Sequence, residues 1–219
     1  TMLNNLYEFT FDENTHTYTD TDGIIYTSSS TWVKQFDKKF DSDAMALKMS
    51  VEKGITIEAV KQEWLDKANL GTTTHAQLEY AFTNRPIDAS YSGLYKAILN
   101  KIGTFDRAYC EQRFISKKLK LAGTVDLIIE RNGRFEIFDF KTNNSLYKSY
   151  YDKLKAPYSH LPAGTLSLYQ LQMSLYCELL EHNNNKCTDI VTIIHIDPYT
   201  KEIRDYIRLN RQKIPSILT

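Results

Sequence analysis

The chain has 219 residues, and its 27 lysines and arginines are balanced by 27 aspartates and glutamates. This length suits one domain of the α/β or α+β type. The balanced charge excludes a basic field over the whole surface, but it does not exclude a local positive groove. No apolar run is long enough to span a bilayer, so we expect no membrane partner.

The three cysteines are far apart in sequence, at Cys110, Cys177 and Cys187. They offer neither a metal-ligand spacing nor a disulfide framework, and each is interpreted as a buried thiol. Cysteine usage of this kind favours a reducing compartment. We therefore expect an intracellular protein, located in the cytoplasm of its own cell or, if it is encoded by a phage or virus, of the host.

The first part of the chain is predicted to form a hairpin followed by short helices. The hairpin region covers Tyr7–Asp12 and Thr15–Thr27, with a turn at Asp20-Thr21-Asp22-Gly23. One helix is predicted to begin near Asp41. Another begins after Thr56, which is placed as its N-cap.

The second part is predicted to be a core of alternating helices and strands. In chain order the predicted elements are a helix after Gly71 to about Phe82, a helix over Tyr91–Lys101, a strand over Phe105–Ser116, two hairpin strands, a polar segment over Thr142–Gly164, a helix capped by Thr165 to about Glu181, and strands near Ile190–Ile196 and Ile203–Leu209. This order of helix, three strands, helix and strand predicts an α/β fold with a mixed central sheet flanked by helices. We expect a single domain over residues 1–219, with residues 1–70 packed on the core.

The strongest local signal is Asn132-Gly133 between two apolar runs. It is typical of a type I′ turn, because both residues tolerate a positive φ. If these residues form the loop, Asp126 lies directly opposite Asp139. Lys141 shares a face with Asp139, since side chains alternate along a strand. Two facing carboxylates favour a cation between them, and a lysine beside them favours an anion. A divalent metal and a phosphate would satisfy these two requirements.

The surroundings of these acids support that interpretation. The runs Thr124–Ile129 and Phe135–Phe140 are apolar on both faces apart from the acids, which is typical of strands covered on both sides. A buried carboxylate is costly unless it is paired or bound to a metal. The alternative is that the acids lie at strand ends and only reach solvent. That is common for one aspartate, but it gives no reason for two facing ones beside a lysine.

Other candidate residues are weaker when taken alone. His75 shares a helix face with Glu79 and is a structural histidine unless a metal site lies nearby. Glu111 lies in the strand before the hairpin, where it either faces solvent or orients a metal or its water. Gln172 and Tyr176 are one turn apart on the late helix. They either pack in the core or contact phosphate and sugar.

Together these motifs resemble the PD-(D/E)xK nuclease superfamily, through Gly123-Thr124-Val125-Asp126 followed by Asp139-Phe140-Lys141. The upstream Gly71…His75 and the downstream Gln172-xxx-Tyr176 resemble its RecB-type exonuclease branch. That branch includes mitochondrial genome maintenance exonucleases and phage recombination or repair nucleases. The resemblance spans about half of the chain, and it implies a restriction-endonuclease-like core.

The resemblance also implies a role for each matched residue at the metal. Asp126, Asp139, the backbone carbonyl of Phe140 and His75 would bind Mg²⁺ or Mn²⁺. Lys141 would position or help to deprotonate the attacking water, and it would stabilise the charged transition state.

Three further residues match motifs of the branch. Glu111 matches an acid that often precedes the Gly-x-x-Asp strand, so it is a candidate catalytic residue. Gln172 and Tyr176 match the late-helix motif tied to substrate and active-site architecture, so they are candidate nucleic-acid contacts. Several relatives carry an iron–sulfur cluster on four cysteines, whereas three scattered cysteines predict no such cluster here.

The predicted function is metal-dependent hydrolysis of phosphodiester bonds in DNA by an exonuclease of replication, recombination or repair. Its substrate would be single-stranded DNA or the ends of a duplex. The alternatives are a structure-specific or restriction-like endonuclease, and a non-catalytic nucleic-acid-binding protein on the same fold. The stretch Tyr147–Lys153, rich in tyrosine and lysine, would either grip a single strand or form a solvated loop.

Overall fold

The computed structural model describes residues 3, 5–38, 41–147 and 149–215, and at 149–151 it describes the backbone only. The elements in chain order are β1 (Phe9–Asp12), β2 (Thr17–Asp20), β3 (Ile25–Ser28), α1 (Ser29–Lys34), α2 (Ser42–Lys53), α3 (Ile57–Phe82), a 3₁₀ turn (Ala89–Tyr91), α4 (Ser92–Ile102), β4 (Arg107–Ser116), β5 (Leu121–Arg131), β6 (Arg134–Lys141), β7 (Ser149–Lys153), β8 (Pro162–Gly164), α5 (Thr165–His182), β9 (Cys187–Asp197) and β10 (Glu202–Asn210).

The central sheet is mixed, as the sequence predicts. Its strands follow the order β1-β2-β3-β5-β6-β9-β10, and β4 pairs with β5 along the opposite edge. The β3–β5 and β6–β9 pairs are parallel, and the other pairs are antiparallel. The succession α3, β4–β6, α5, β9 is the predicted core of helix, three strands, helix and strand.

Helices cover both faces of the sheet. Successive residues of the central strands point to opposite sides, so each strand contributes apolar side chains to both cores. On one side, Ile128 and Ile137 belong to a core cluster that includes Leu171, Leu175 and Leu179 of α5. On the other side, a second cluster joins strand residues to α3 and α4. Its members include Leu78, Phe82, Leu94, Ile98, Leu127, Ile129 and Phe138.

One edge of β5 is shared by two different strands. At the start of β5, Leu121 and Ala122 pair with β3, and from Leu127 onward the same edge pairs with β6. Between these two pairings, residues 123–126 pair on this edge with no strand that the structure describes, while β4 pairs along the other edge. We call residues 123–126 the fork, because the sheet opens there between β3 and β6.

Several local predictions are confirmed. Asn132 and Gly133 form the hairpin loop with φ values of 49° and 69°, as a type I′ turn requires. Asp41 and Thr56 are the N-caps of α2 and α3, and their side chains accept hydrogen bonds from the backbone N–H groups of Ala44 and Ala59. The turn at Asp20–Gly23 is also present, since the Gly23 N–H donates to the Asp20 carbonyl.

The predicted helix start at Gly71 is wrong, because α3 runs without interruption from Ile57 to Phe82. Glycine within a helix costs only about 1 kcal/mol relative to alanine, which the packing of so long a helix can offset. A Cβ atom at Gly71 would lie 2.6 Å from Oγ1 of Thr142. The glycine therefore permits close packing of α3 against the end of β6.

The prediction that Thr165 caps the late helix is also wrong. Gly164 is the N-cap of α5 and Thr165 is its first helical residue, and no side chain in the described part of the chain caps this end. The short helix α1 and the β7–β8 hairpin were not predicted. Among the described residues, no helix is both long and apolar enough to cross a membrane.

Candidate active site

A cleft of about 380 Å³ lies at the fork. Seven of the side chains predicted from the sequence line it together: His75, Glu111, Asp126, Asp139, Lys141, Gln172 and Tyr176. They come from α3, β4, β5, β6 and α5, so the fold gathers residues that are up to a hundred positions apart in the chain.

Three of these residues form a group that fits a metal ion. The ligand atoms of His75, Glu111 and Asp126 all lie within 4.8 Å of one another. Opposite ligands of Mg²⁺ are about 4.2 Å apart, since each metal–oxygen bond is about 2.1 Å. Small side-chain movements therefore suffice to bring all three ligand atoms to one metal ion. Carboxylate oxygens with one imidazole suit a hard divalent cation.

Glu111 joins this group because of its place in the ladder between β4 and β5. Cys110 pairs with Leu127 and Gln112 with Val125, so the register places Glu111 opposite Asp126. The φ of Glu111 is 49°, an uncommon value for a residue other than glycine. The ladder is interrupted at this pair. Glu111 is thus placed in the cleft instead of facing open solvent, the alternative considered from the sequence.

Asp126 and Asp139 line the same cleft. The strands follow the predicted register, but they separate before they reach the two acids, so the predicted ladder pair of Asp126 with Asp139 does not form. The ladder between β5 and β6 ends at Leu127 and Phe138, one pair before the two acids. At that point the Asp126 carboxylate accepts a hydrogen bond of 2.9 Å from the backbone N–H of Phe140. A side-chain acceptor thus binds the backbone N–H of Phe140 at the fork. Asp139 pairs with Ile193 of β9 along the other edge of β6.

The predicted sharing of a face by Asp139 and Lys141 is confirmed. Nζ of Lys141 lies 2.6 Å from Oδ2 of Asp139 and 4.3 Å from the ring centroid of Tyr169. The ion pair is close, yet among the described residues this buried Oδ2 makes no hydrogen bond of good geometry. A buried acceptor with spare capacity beside the His75 group suits a bound cation.

Burial dominates the electrostatics of the cleft. Burial, reinforced by the carboxylates of Asp126 and Glu79, raises the pKa of Glu111 to about 8. Burial also raises the pKa of Asp139, and the Lys141 ammonium offsets this only in part. A carboxyl group must be deprotonated to bind a metal, so metal binding here would release such protons to solvent.

Lys141 is held in its charged form. Burial lowers the pKa of Lys141, but the carboxylates of Asp139 and Asp126 outweigh this effect and raise it above its ordinary value. A lysine with a raised pKa is a poor base at neutral pH. It is suited to supply fixed positive charge where negative charge develops.

Gln172 and Tyr176 lie at the wall of the cleft and are nearly buried, with exposed fractions of 9% and 4%. Ser29 of α1 links them, because its hydroxyl donates to the Tyr176 hydroxyl at 3.3 Å and accepts from the Gln172 amide at 3.4 Å. A Cβ atom at Gly123 would lie 2.7 Å from Cε1 of Tyr176. Glycine in the Gly-x-x-Asp strand therefore allows α5 to approach the fork.

The sequence analysis missed several residues of the cleft from the N-terminal hairpin and from β4. Phe11, His16 and Tyr18 line it, as does Arg113. The alternation of side chains along β4 contained a signal for Arg113, which is two residues after Glu111. No local pattern places the hairpin at the fork, because this depends on the pairing of β3 with β5.

Two sequence predictions fall largely beyond this description. In the stretch Tyr147–Lys153, Lys148 and the side chains of 149–151 lie outside the described residues, so its grip on a single strand stays a prediction.

The three cysteines are buried, with Sγ of Cys177 lying 3.1 Å from Sγ of Cys187. The expectation that no iron–sulfur cluster is bound also stays a prediction.

Comparison with known proteins identifies the family. The model of the PD-(D/E)XK nuclease superfamily matches residues 57–205, which is well over half of the chain. The chain therefore belongs to this superfamily, and its class of activity is that of a metal-dependent nuclease acting on nucleic acid. The match confirms the superfamily and the fold predicted from the sequence. The RecB-type branch stays a prediction.

The other comparisons add little. No curated protein matches the chain. The chain is similar to the crystal structure of SSO0001, with 14% sequence identity and a TM-score of 0.41. The match covers 85% of this chain and 68% of the chain of SSO0001. A likeness at this level supports no conclusion about the present chain.

Proposed function

We propose that this chain is a deoxyribonuclease that hydrolyses phosphodiester bonds with Mg²⁺ or Mn²⁺, and that it acts as an exonuclease in replication, recombination or repair. The observation that carries the proposal is the group of His75, Glu111 and Asp126 within 4.8 Å of one another, beside the ion pair of Asp139 and Lys141. The order of its motifs, which resembles the RecB-type branch, supports the exonuclease assignment.

In this proposal the acids and His75 hold the metal. Asp126 and His75 bind it directly, with Glu111 as a further ligand and with Asp139 and the Phe140 carbonyl completing the set. When bound, such a metal lowers the pKa of a water molecule and neutralises charge on a phosphate oxygen. The backbone N–H of Phe140 fixes the orientation of the Asp126 carboxylate, since the two are hydrogen-bonded at 2.9 Å.

Lys141 has a separate task in the same reaction. Its ammonium group lies at the cleft, held by Asp139 and by the ring of Tyr169. Because its pKa is raised, it orients the attacking water and stabilises the negative charge of the transition state. Of the three roles that the resemblance implies for Lys141, positioning of the water and stabilisation of charge are favoured over deprotonation of the water.

We also propose that the region before residue 71 forms one domain with the nuclease core. β3 pairs with β5 and borders the fork, and the Tyr18 hydroxyl lies 2.7 Å from Oγ1 of Thr124. The N-terminal hairpin thus forms a wall of the cleft.

Incubation with linear and with covalently closed circular DNA in Mg²⁺ or Mn²⁺ tests the proposed activity. Degradation of linear DNA alone is the expected result, and protected ends on the linear substrate should then block it. Cutting of circles would contradict the exonuclease assignment and support an endonuclease. Binding without any cutting would contradict catalysis and support a non-catalytic binding protein. RNA of the same sequence serves as the control for the sugar.

A further inference from the structure

The floor of the cleft continues beyond the metal-binding group in a regular way. Arg113 pairs with Thr124 in the β4–β5 ladder, and this pair follows the position of Glu111 and Asp126 on the same face of the sheet. Positions two residues apart on a strand are about 6.6 Å apart. Arg113 therefore lies one step along the strands from the metal group, a spacing comparable with that of successive phosphates in an extended nucleic-acid strand.

The guanidinium group of Arg113 is poorly paired for a residue in such a position. Its Nε is buried and, within the described part of the chain, has no hydrogen-bond partner. Its only carboxylate contact among those residues is with Glu13, whose Oε1 lies 3.4 Å from Nη2 of Arg113 and whose side chain is 79% exposed. An exposed ion pair of this kind is weak. A phosphate entering the cleft can therefore replace Glu13.

Aromatic rings from the N-terminal hairpin stand beside Arg113. Its guanidinium lies over the ring of Phe11 at 4.4 Å, and the ring of His16 meets Phe11 edge-on at 5.1 Å. His16 is exposed at the rim of the cleft, with a φ of 53°. The loop that carries it is braced, because the Asp12 carboxylate accepts hydrogen bonds from the N–H groups of Asn14 and Thr15.

We propose that Arg113, His16 and Phe11 form a subsite for the unpaired nucleotide next to the phosphate that is cut. Arg113 binds the phosphate of that nucleotide, the imidazole face of His16 stacks on its base, and Phe11 holds both side chains in place. This proposal rests on the proposed nuclease function and names its substrate as single-stranded nucleic acid. A base within a duplex is already stacked and paired, so it cannot stack on a side chain.

A second cavity supports the path of the strand. It has a volume of about 380 Å³ and shares Phe11, Glu111 and Arg113 with the cleft at the fork. Tyr7 and Gln112 also line it, so the open surface continues beyond the cleft at the fork. Arg113 and Phe11 lie at the junction of the two cavities, where an extended strand passing through both would contact them.

Binding measurements separate the two contacts. The probes are a fluorescein-labelled single strand of twelve thymidines, the same length of abasic strand, and a duplex of equal length. Anisotropy is recorded with the full chain in Ca²⁺ over a range of salt concentrations, and gels show that the probes stay intact. The variants are Arg113→Gln, Arg113→Lys and His16→Ala. The matched controls are Arg208→Gln on β10 and His160→Ala, both outside the cleft.

We expect Arg113→Gln to weaken binding of the thymidine strand about fivefold and to reduce the slope of log affinity against log salt by about 0.7. Arg113→Lys should restore the slope. His16→Ala should weaken binding of the thymidine strand about fivefold, leave the slope unchanged, and have no effect on the abasic strand or the duplex. Thermal unfolding of each variant shows that it is folded.

The proposal is overturned if Arg113→Gln keeps the wild-type salt slope, or if His16→Ala weakens all three probes equally. These failures are distinct from failure of the nuclease function. Wild-type cleavage in Mn²⁺ combined with an unchanged slope contradicts the subsite alone. Arg113-dependent binding combined with no cleavage by the wild type contradicts the nuclease alone.

Discussion

Lys141 shows at the scale of one residue how the cleft combines opposite charges. Its ammonium group is largely shielded from solvent between the Asp139 carboxylate, at 2.6 Å, and the ring of Tyr169. An unpaired ammonium in such a place would lose its proton, but the neighbouring acids raise the pKa of Lys141. A permanent positive charge is thus available beside the acids that form the metal-binding group.

Replacement of Lys141 by methionine tests this role. We expect Lys141→Met to lower the single-turnover rate of cleavage about 100- to 1000-fold, because one stabiliser of transition-state charge is lost. Binding of the metal should persist. Rates of cleavage of a linear single strand at saturating Mn²⁺ provide the measurement.

Lys201 offers a matched control, since its ammonium lies over the ring of Tyr91 at 4.6 Å, outside the cleft. Lys201→Met should cleave at the wild-type rate. A rate for Lys141→Met equal to that of Lys201→Met would remove Lys141 from the chemistry.

Individual site residues were predictable from the sequence to different degrees. Asp126, Asp139 and Lys141 stand out because charged residues interrupt two apolar strands beside an Asn-Gly turn. For Glu111 the local sequence left two positions open, in solvent or at the metal, because its place depends on the β4–β5 register and on a positive φ that no local pattern indicates. His16 likewise reaches the cleft only through long-range pairing.

At the scale of the elements, the fork depends on close contact between β5 and α5. Gly123 faces Tyr176, whose Cε1 would be 2.7 Å from a Cβ at this position. Tyr176 is buried and its hydroxyl accepts a hydrogen bond from Ser29, so its ring cannot move away freely. The glycine thus allows the helix to approach the strand that carries Asp126.

Gly123→Ala should lower the free energy of unfolding by about 1–3 kcal/mol, the usual cost of overpacking a core. Gly93→Ala in α4 is the control, because a Cβ there meets no atom of the described residues within 4 Å. The control should be neutral or stabilising by up to about 1 kcal/mol. Urea unfolding of both variants gives the comparison, and equal stabilities would show that the contact with Tyr176 is not tight.

The core elements were predictable because their signals are local. The helices after Asp41 and Thr56 have side-chain caps, and the hairpin has Asn132-Gly133 at its turn. The start of α3 after Thr56 was predicted correctly, but a second helix was wrongly predicted to begin after Gly71, because glycine favours helix ends in general, whereas Gly71 serves the packing on Thr142. The parallel pairing of β3 with β5 joins residues far apart in sequence, so the fork itself was beyond prediction.

At the scale of the whole molecule, the cleft makes stability depend on pH and on metal. Between the ordinary pKa of Glu111, 4.5, and its raised value of about 8, the folded chain holds a proton that the unfolded chain has released. The folded state therefore binds more protons in this range, and the free energy of unfolding falls as pH rises through it. The raised pKa of Asp139 acts in the same direction.

We therefore expect Mn²⁺ to raise the Tm of the protein more at about pH 8.5 than at about pH 6, because a metal ligand must be deprotonated and metal binding stabilises the folded state. The difference between the two increments should be about 5 °C. Glu111→Gln, which cannot titrate, should show a smaller difference. Equal increments for the wild type at both pH values would contradict the assignment of Glu111 to the metal group.

The rate at which the wild type and Asp126→Asn cleave a linear single-stranded oligonucleotide, measured as Mn²⁺ is titrated, tests the metal site most directly. We predict saturable cleavage by the wild type that EDTA abolishes. Asp126→Asn should be slower by at least about 100-fold at equal thermal stability. A wild type that stays inert with Mn²⁺ and with Mg²⁺, or an Asp126→Asn variant that cleaves at the wild-type rate, would contradict the account.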